Sequence, residues 1–180
     1  MPLTWSQDEF IKAFNFAAVA HQGQCLPDSN LPYLVHISLV CMEVITLQSV
    51  EPMSNPELAL QCAALHDVVE DKRAILEKIR EEFGFEIANG VDALSKKKDI
   101  PNPLTDSIER IKKQPKEIWI VKLADRITNL QPPPSSWQSE KILNYLKESV
   151  NILENLAIAS PYLASRLKAK IENYRLNYCQ

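Results

Sequence analysis

At 180 residues, the chain is long enough to bury a full hydrophobic core in one domain without disulfide or metal staples. Its composition (46% hydrophobic, 24% charged) is that of an ordinary globular protein, and a formal charge of −3 leaves no basic footprint for nucleic acid. The four cysteines show no C-x-x-C pair, no apolar run reaches the roughly 20 residues of a membrane span, and residues 1–8 lack the pattern of a signal peptide, so a cytoplasmic protein with reduced thiols is expected.

Ser6-Gln7-Asp8-Glu9 reads as a capping box opening a helix that runs to about His21, with Phe10, Ala13, Phe14, Ala17 and Ala18 on one face. Gln22 to Pro32 reads as a polar loop, and Tyr33 to Leu47 as a second helix. Asn55-Pro56 is a cap followed by proline at the first helical position. The helix after it, Glu57 to His66, is apolar nearly all round and therefore buried. Arg73 to Phe83 is amphipathic and stops at Gly84, and a short helix passes through Val91 to Leu94. Ser95 to Thr105, with three lysines and two prolines, reads as a connection. Asp106 to Gln114 and Lys116 to Leu130 are predicted helices; the β-prone run Ile118 to Val121 belongs to the second, because its apolar spacing continues through Leu123, Ala124 and Ile127. Pro132 to Pro134 end it, and two helices, about Gln138 to Ala159 and Pro161 to Tyr178, finish the chain. With only three glycines and no convincing strand, the expected class is all-α, a single domain over residues 1–180.

Polar residues on elements that should be buried carry the functional signal. His66-Asp67 closes the apolar helix, and Glu70-Asp71 follows one turn later. If the helical path continues, Glu70 lies above His66 and Asp67, and Asp71 above Asp67. Three carboxylates so placed repel one another unless a cation sits among them. On the helix from Lys116, the residues Lys122, Asp125, Arg126 and Asn129 form a narrow polar stripe in an apolar surround, the pattern of a buried helix facing a polar cavity. Imidazole and carboxylate without thiolate suit Mn²⁺, Fe²⁺, Mg²⁺ or Zn²⁺ with exchangeable waters rather than a closed structural zinc site. Each signal alone has a plainer reading: a lone His21 or His36 as a hydrogen-bonded residue, Asp125 and Arg126 as an ion pair.

Taken together, these residues resemble a known family. His36, the run Ala63-Ala64-Leu65-His66-Asp67-Val68-Val69-Glu70-Asp71 and the run Val121-Lys122-Leu123-Ala124-Asp125-Arg126-Ile127-Thr128-Asn129-Leu130 are similar to the HD hydrolase domain of the RelA/SpoT-homologue alarmone hydrolases. Ala20-His21-Gln22-Gly23-Gln24 and Pro32-Tyr33-Leu34-Val35-His36 match that family's first motif, and the likeness extends through Trp137 and the terminal helices, as in the stand-alone Mesh-type class. The resemblance implies an HD-domain helical bundle with His36, His66, Asp67 and Asp125 as metal ligands, usually of Mn²⁺. It implies that Glu70 and Asp71 orient or deprotonate the attacking water, and that Asn129 contacts substrate. Lys122 and Arg126 are candidates for phosphate charge, with ion pairing to Asp125 or Glu70 as the alternative. The implied reaction is removal of the 3′-diphosphate from (p)ppGpp or (pp)pApp, with a small nucleotide as substrate and neither nucleic acid nor membrane as partner; a homo-oligomer is possible.

One departure stands out. Where the family has an Arg-Lys pair after Gly23-Gln24, this chain has Cys25-Leu26-Pro27-Asp28, and leucine or proline cannot replace a nucleotide-binding arginine. Lys96, Lys97, Lys98 and Arg110 are candidates for the missing charge. Another HD phosphohydrolase (a nucleotidase or an NADPH 2′-phosphatase) and a catalytically inactive nucleotide sensor are the competing readings.

Overall fold

Residues 5–97 and 99–179 are described by the structure, a computed structural model, and Lys98 thus lies outside the described residues. Among the described residues there are eight α-helices and no strand beyond an isolated antiparallel bridge, Cys25 to Pro32.

Helix α1 (Gln7–Ala20) starts where Ser6 Oγ accepts the Glu9 amide at 3.2 Å. The predicted capping box is only half formed, because the Ser6 N–H donates to Glu57 Oε2 at 2.9 Å, a tertiary partner that supplants Glu9. Helix α2 (Leu34–Val50) runs past the predicted end at Leu47. Helix α3 (Pro56–Leu65) is capped as expected, Asn55 Oδ1 accepting from Leu58 N at 3.1 Å, and is buried from Leu58 to Leu65. Helix α4 (Leu76–Leu94) is broken at Gly84, whose φ of 85° only glycine adopts at little cost. Its first half begins after Arg73, because Lys72 turns to φ 56° and the Arg73 and Ala74 amides both bond the Val68 carbonyl. Its second half begins directly after Gly84 rather than near Val91.

Helix α5 (Pro103–Ile111) corrects the reading of Ser95 to Thr105 as one connection. Pro103 occupies the first turn, where its missing N–H costs nothing, so the proline that suggested a loop starts the helix. Helix α6 (Lys116–Asn129) includes Ile118 to Val121, as the apolar spacing required. Helix α7 (Ser139–Leu156) ends in a 3₁₀ turn, Ala157–Ala159, and α8 (Pro161–Tyr178) is capped by Ser160 Oγ, which accepts from Leu163 N at 3.1 Å.

Helices α3 and α6 form the centre and pack on each other. Helices α1, α2 and α4 cover α3, while α2, α7 and α8 cover α6. Helix α2 carries one charged side chain, Glu43, which is buried and paired with Arg166 of α8. Helix α4 approaches the centre at Gly90, where an added Cβ would lie 2.6 Å from Ile118 Cδ1 and 2.8 Å from Cys62 Sγ. Gly90→Ala is therefore expected to destabilise the fold by about 1–3 kcal/mol through overpacking, measured by urea unfolding; an unchanged midpoint would show that Ile118 and Cys62 give way freely.

Candidate metal centre

Three elements that pack on one another supply the site: the first turn of α2 (His36), the chain just past α3 (His66 and Asp67) and the C-terminal half of α6 (Asp125). His36 Nε2 and His66 Nε2 lie 3.2 Å apart. Asp67 Oδ2 is 2.9 Å from His66 Nε2 and 3.5 Å from His36 Nε2; Asp125 Oδ1 is 3.7 and 3.5 Å from the same atoms. His36, His66 and Asp125 are buried, and Asp67 is nearly so.

The outer hydrogen bonds aim both imidazoles. His66 Nδ1 faces the Ala63 carbonyl at 2.8 Å and must donate to it, so Nε2 points its lone pair inward. Thr128 Oγ1 donates to the Asp125 carbonyl at 2.9 Å and faces His36 Nδ1 at 3.4 Å, where it accepts, so His36 Nε2 is oriented the same way. Such outer partners fix ring tautomer and orientation in metal sites. The Tyr33 hydroxyl donates to Asp67 Oδ2 at 2.5 Å, and Lys122 Nζ and Asn129 Nδ2 donate to the two oxygens of Asp125. His36, His66 and Asp67 bring one ligand atom each within metal-binding range of one another, with Asp125 Oδ1 beside both imidazoles, a donor set whose chemistry fits a divalent metal.

The electrostatics agree. Burial alone would hold His66 neutral, but the Asp67 and Asp125 carboxylates and the Ala63 carbonyl raise it to about 9. Burial likewise opposes charge on Asp67 and Asp125; His66 and His36 keep Asp67 well below the usual carboxylate range, and Lys122 with the histidines lowers Asp125 to about 2. Without a metal, His66 thus carries a proton at neutral pH that an incoming cation displaces. Apparent metal affinity is expected to rise by up to about tenfold per pH unit and to level off near pH 9, with about one proton released per ion at pH 7. Calorimetry in buffers of different ionisation enthalpy measures this, and an affinity independent of pH would contradict it.

The remaining predicted residues are not all brought to one place. Regular helix stops at Leu65, and the chain goes on as turns in which the Asp71 amide donates to the Asp67 carbonyl at 2.9 Å, so that Asp71 follows Asp67 by one turn. Glu70 Oε2 accepts the Lys96 amide at 2.8 Å, with Lys96 Nζ 3.5 Å from Oε1, and Asp71 Oδ2 accepts Gln24 Nε2 at 2.7 Å. The carboxylates are thus relieved partly by their own neighbours rather than by a cation alone. The polar stripe of α6 divides: Lys122, Asp125 and Asn129 share the metal side, whereas Arg126 turns to α7, 3.3 Å from Glu148 Oε2 and over the Tyr145 ring at 4.2 Å. Lys97 and Arg110 pair with Asp92, and Arg110 also binds the Asp92 and Ser95 carbonyls at the end of α4.

A cavity of about 570 Å³ opens beside His36. Its walls are mainly apolar, with Leu26, Pro27, Trp137 and Tyr145 prominent, and Asn129 and Gln131 offer amides. Asp28 accepts from both the amide and the hydroxyl of Ser135, at 2.5 and 2.8 Å, joining the loop before α2 to the proline segment across the cavity. Sequence reasoning assigned no role to Tyr33, Thr128 or Gln24. The signal available for Thr128 was its position three residues after Asp125 on a buried helix.

The family model described as HD domain matches residues 13–161. The guanosine-3′,5′-bis(diphosphate) 3′-pyrophosphohydrolase MESH1 of Drosophila melanogaster is 29% identical over 160 residues, covering 85% of this chain and 87% of that protein. The human protein of the same name is 26% identical, covering 89% and 91%. A solved structure, described as a metazoan ortholog of SpoT that hydrolyses ppGpp and plays a role in starvation responses, superposes with a TM-score of 0.80 at 26% identity, over 95% of this chain and 98% of its own.

Proposed function

The chain belongs to the HD-domain family, and we propose that it is a metal-dependent 3′-pyrophosphohydrolase of nucleotide alarmones, a single domain over residues 1–180 that acts in the cytoplasm with Mn²⁺. The observation that carries the reading is the gathering of His36 Nε2, His66 Nε2, Asp67 Oδ2 and Asp125 Oδ1 beside a cavity of about 570 Å³ that His36 itself lines. Relatives covered over most of their length bear the name of that activity, and no helix among the described residues is long and apolar enough to cross a membrane.

In the reaction a water oxygen bonds to the phosphorus next to the 3′-oxygen, the bond from that phosphorus to the 3′-oxygen breaks, pyrophosphate leaves and the 3′-oxygen takes up a proton. A divalent ion held by His36, His66, Asp67 and Asp125 supplies a Lewis acid for the phosphate oxygens and lowers the pKa of water. The protein's own groups do the positioning, which dominates phosphoryl chemistry. Tyr33 fixes the Asp67 carboxylate; Thr128 and the Ala63 carbonyl fix the imidazoles. Glu70 and Asp71, held by Lys96 and Gln24, take the roles of orienting the water and accepting its proton in this reading. Asn129 holds Asp125 and lines the cavity, Lys122 balances the Asp125 charge, and Arg126 backs the Tyr145 wall.

The base lies against the apolar and aromatic wall, where Leu26 and Pro27 replace the basic pair of the family. Both guanine and adenine alarmones, (p)ppGpp and (pp)pApp, are therefore substrates to test. Purified protein with Mn²⁺ is offered ppGpp and ppApp side by side, with chelator as control. Chelator-sensitive pyrophosphate release from at least one is expected, and the faster identifies the base. No release from either, with metal bound, would overturn the reading in favour of another phosphorylated nucleotide or a binding-only role.

A further inference from the structure

The segment His21 to Gln24 contributes no group to the metal centre, yet its side chains are placed specifically. Gln24 Oε1 lies 2.8 Å from His21 Nδ1 and 3.0 Å from Arg73 Nε, while Gln24 Nε2 lies 2.7 Å from Asp71 Oδ2. A guanidinium only donates and an ionised carboxylate only accepts, so the orientation of the Gln24 amide is forced. His21 Nδ1 must then be the donor to Oε1. Its Nε2 is buried without a protein partner among the described residues.

Asp71 needs such a hold. It sits on the irregular turn between α3 and α4, next to Lys72 at φ 56°, where no helix fixes its side chain. It is nonetheless close to the centre: its amide donates to the Asp67 carbonyl at 2.9 Å, the Tyr33 hydroxyl donates to the Asp67 carboxylate, and the Tyr33 ring lies 4.9 Å from that of His21. With Oδ2 held by Gln24, the other oxygen of Asp71 has no side-chain partner among the described residues and is available to a water.

We infer that Gln24 is a positioning residue for hydrolysis: its amide, locked by His21 Nδ1 and Arg73 Nε, holds Asp71 in the orientation that meets the attacking water. This inference rests on the proposed function and on no property of the bound metal. A purely structural Gln24, stapling the turn after α3 to the end of α1, would instead show its loss in stability or in metal retention.

The test compares wild type with Gln24→Leu, His21→Leu and His21→Asn, using the better of ppGpp and ppApp, with metal content and thermal midpoint recorded for each. Gln24→Leu is expected to lower kcat about 10–100-fold, the scale of a misplaced reacting group, with KM within about twofold and metal retained. His21→Leu is expected to fall in the same direction. His21→Asn, whose side-chain nitrogen takes the place of Nδ1, is expected to recover most of the loss. Proton exchange of the Gln24 side-chain amide in the metal-free protein gives a readout apart from activity: protected in wild type and His21→Asn, faster in His21→Leu. An unchanged kcat in Gln24→Leu, a loss confined to KM or stability, or His21→Asn no better than His21→Leu would overturn the inference. If Gln24→Leu fails to fold, the His21 pair decides. Absence of release from wild type sinks the hydrolase reading itself, whereas wild-type release with unaffected variants sinks only the role of Gln24.

Discussion

Asp67→Ala is expected to abolish turnover and to leave the protein unable to retain its divalent ion. Asp67 Oδ2 is the nearest carboxylate oxygen to His66 Nε2, at 2.9 Å, and also lies 3.5 Å from His36 Nε2. Removing it deletes one of four donors and the main negative charge that balances the site. The effect should exceed the roughly 10–100-fold lost when only an outer partner of a ligand is removed. Tyr33→Phe supplies that internal standard, because it deletes the hydrogen bond to Asp67 and leaves the ligand in place. Elemental analysis of the purified variants and pyrophosphate release with added Mn²⁺ are the measurements. Full metal content in Asp67→Ala would remove Asp67 from the ligand set.

Glu70→Ala is expected to separate binding from chemistry: metal retained at the wild-type level, with kcat reduced about 10²–10⁴-fold, the range of a lost general acid or base. The geometry supports this division. Glu70 is drawn to the Lys96 amide and ammonium rather than into the ring of four donors, so its removal leaves that ring intact. Parallel loss in kcat and kcat/KM would mark an interaction made in the transition state. Loss of metal in Glu70→Ala would instead make Glu70 a ligand.

How much of this was legible in the residues depended on whether the signal was local. The burial of α3 could be read because it is apolar nearly all round, and that of α6 because its polar stripe is narrow in an apolar surround, where Asp125 stood out. Resemblance then implied four ligands, of which the structure places His36, His66 and Asp67 together with Asp125 Oδ1 3.5 and 3.7 Å from the two imidazoles. The path after His66 was not legible. Regular helix ends at Leu65 and gives way to irregular turns, one of which keeps the Asp71 amide on the Asp67 carbonyl, before the left-handed Lys72 and the bonds from Arg73 and Ala74 to one carbonyl end them. Arg126 shared a helical face with Asp125 on paper, yet neighbours distant in sequence, Glu148 and Tyr145, decide its direction. The early start of α5 was missed because a proline reads as a breaker until its place in the first turn is known. Gln24 joins groups three and about fifty positions away, a contact that no periodicity encodes.

The central claim is that one divalent ion is held by His36, His66, Asp67 and Asp125 together. Anomalous diffraction from crystals grown with Mn²⁺ tests it most directly. A single strong peak per chain is expected, in bonding contact with the two Nε2 atoms and one oxygen from each aspartate. A peak held instead by Glu70 and Asp71, or none near His36 and His66 under conditions where pyrophosphate is released, would contradict it.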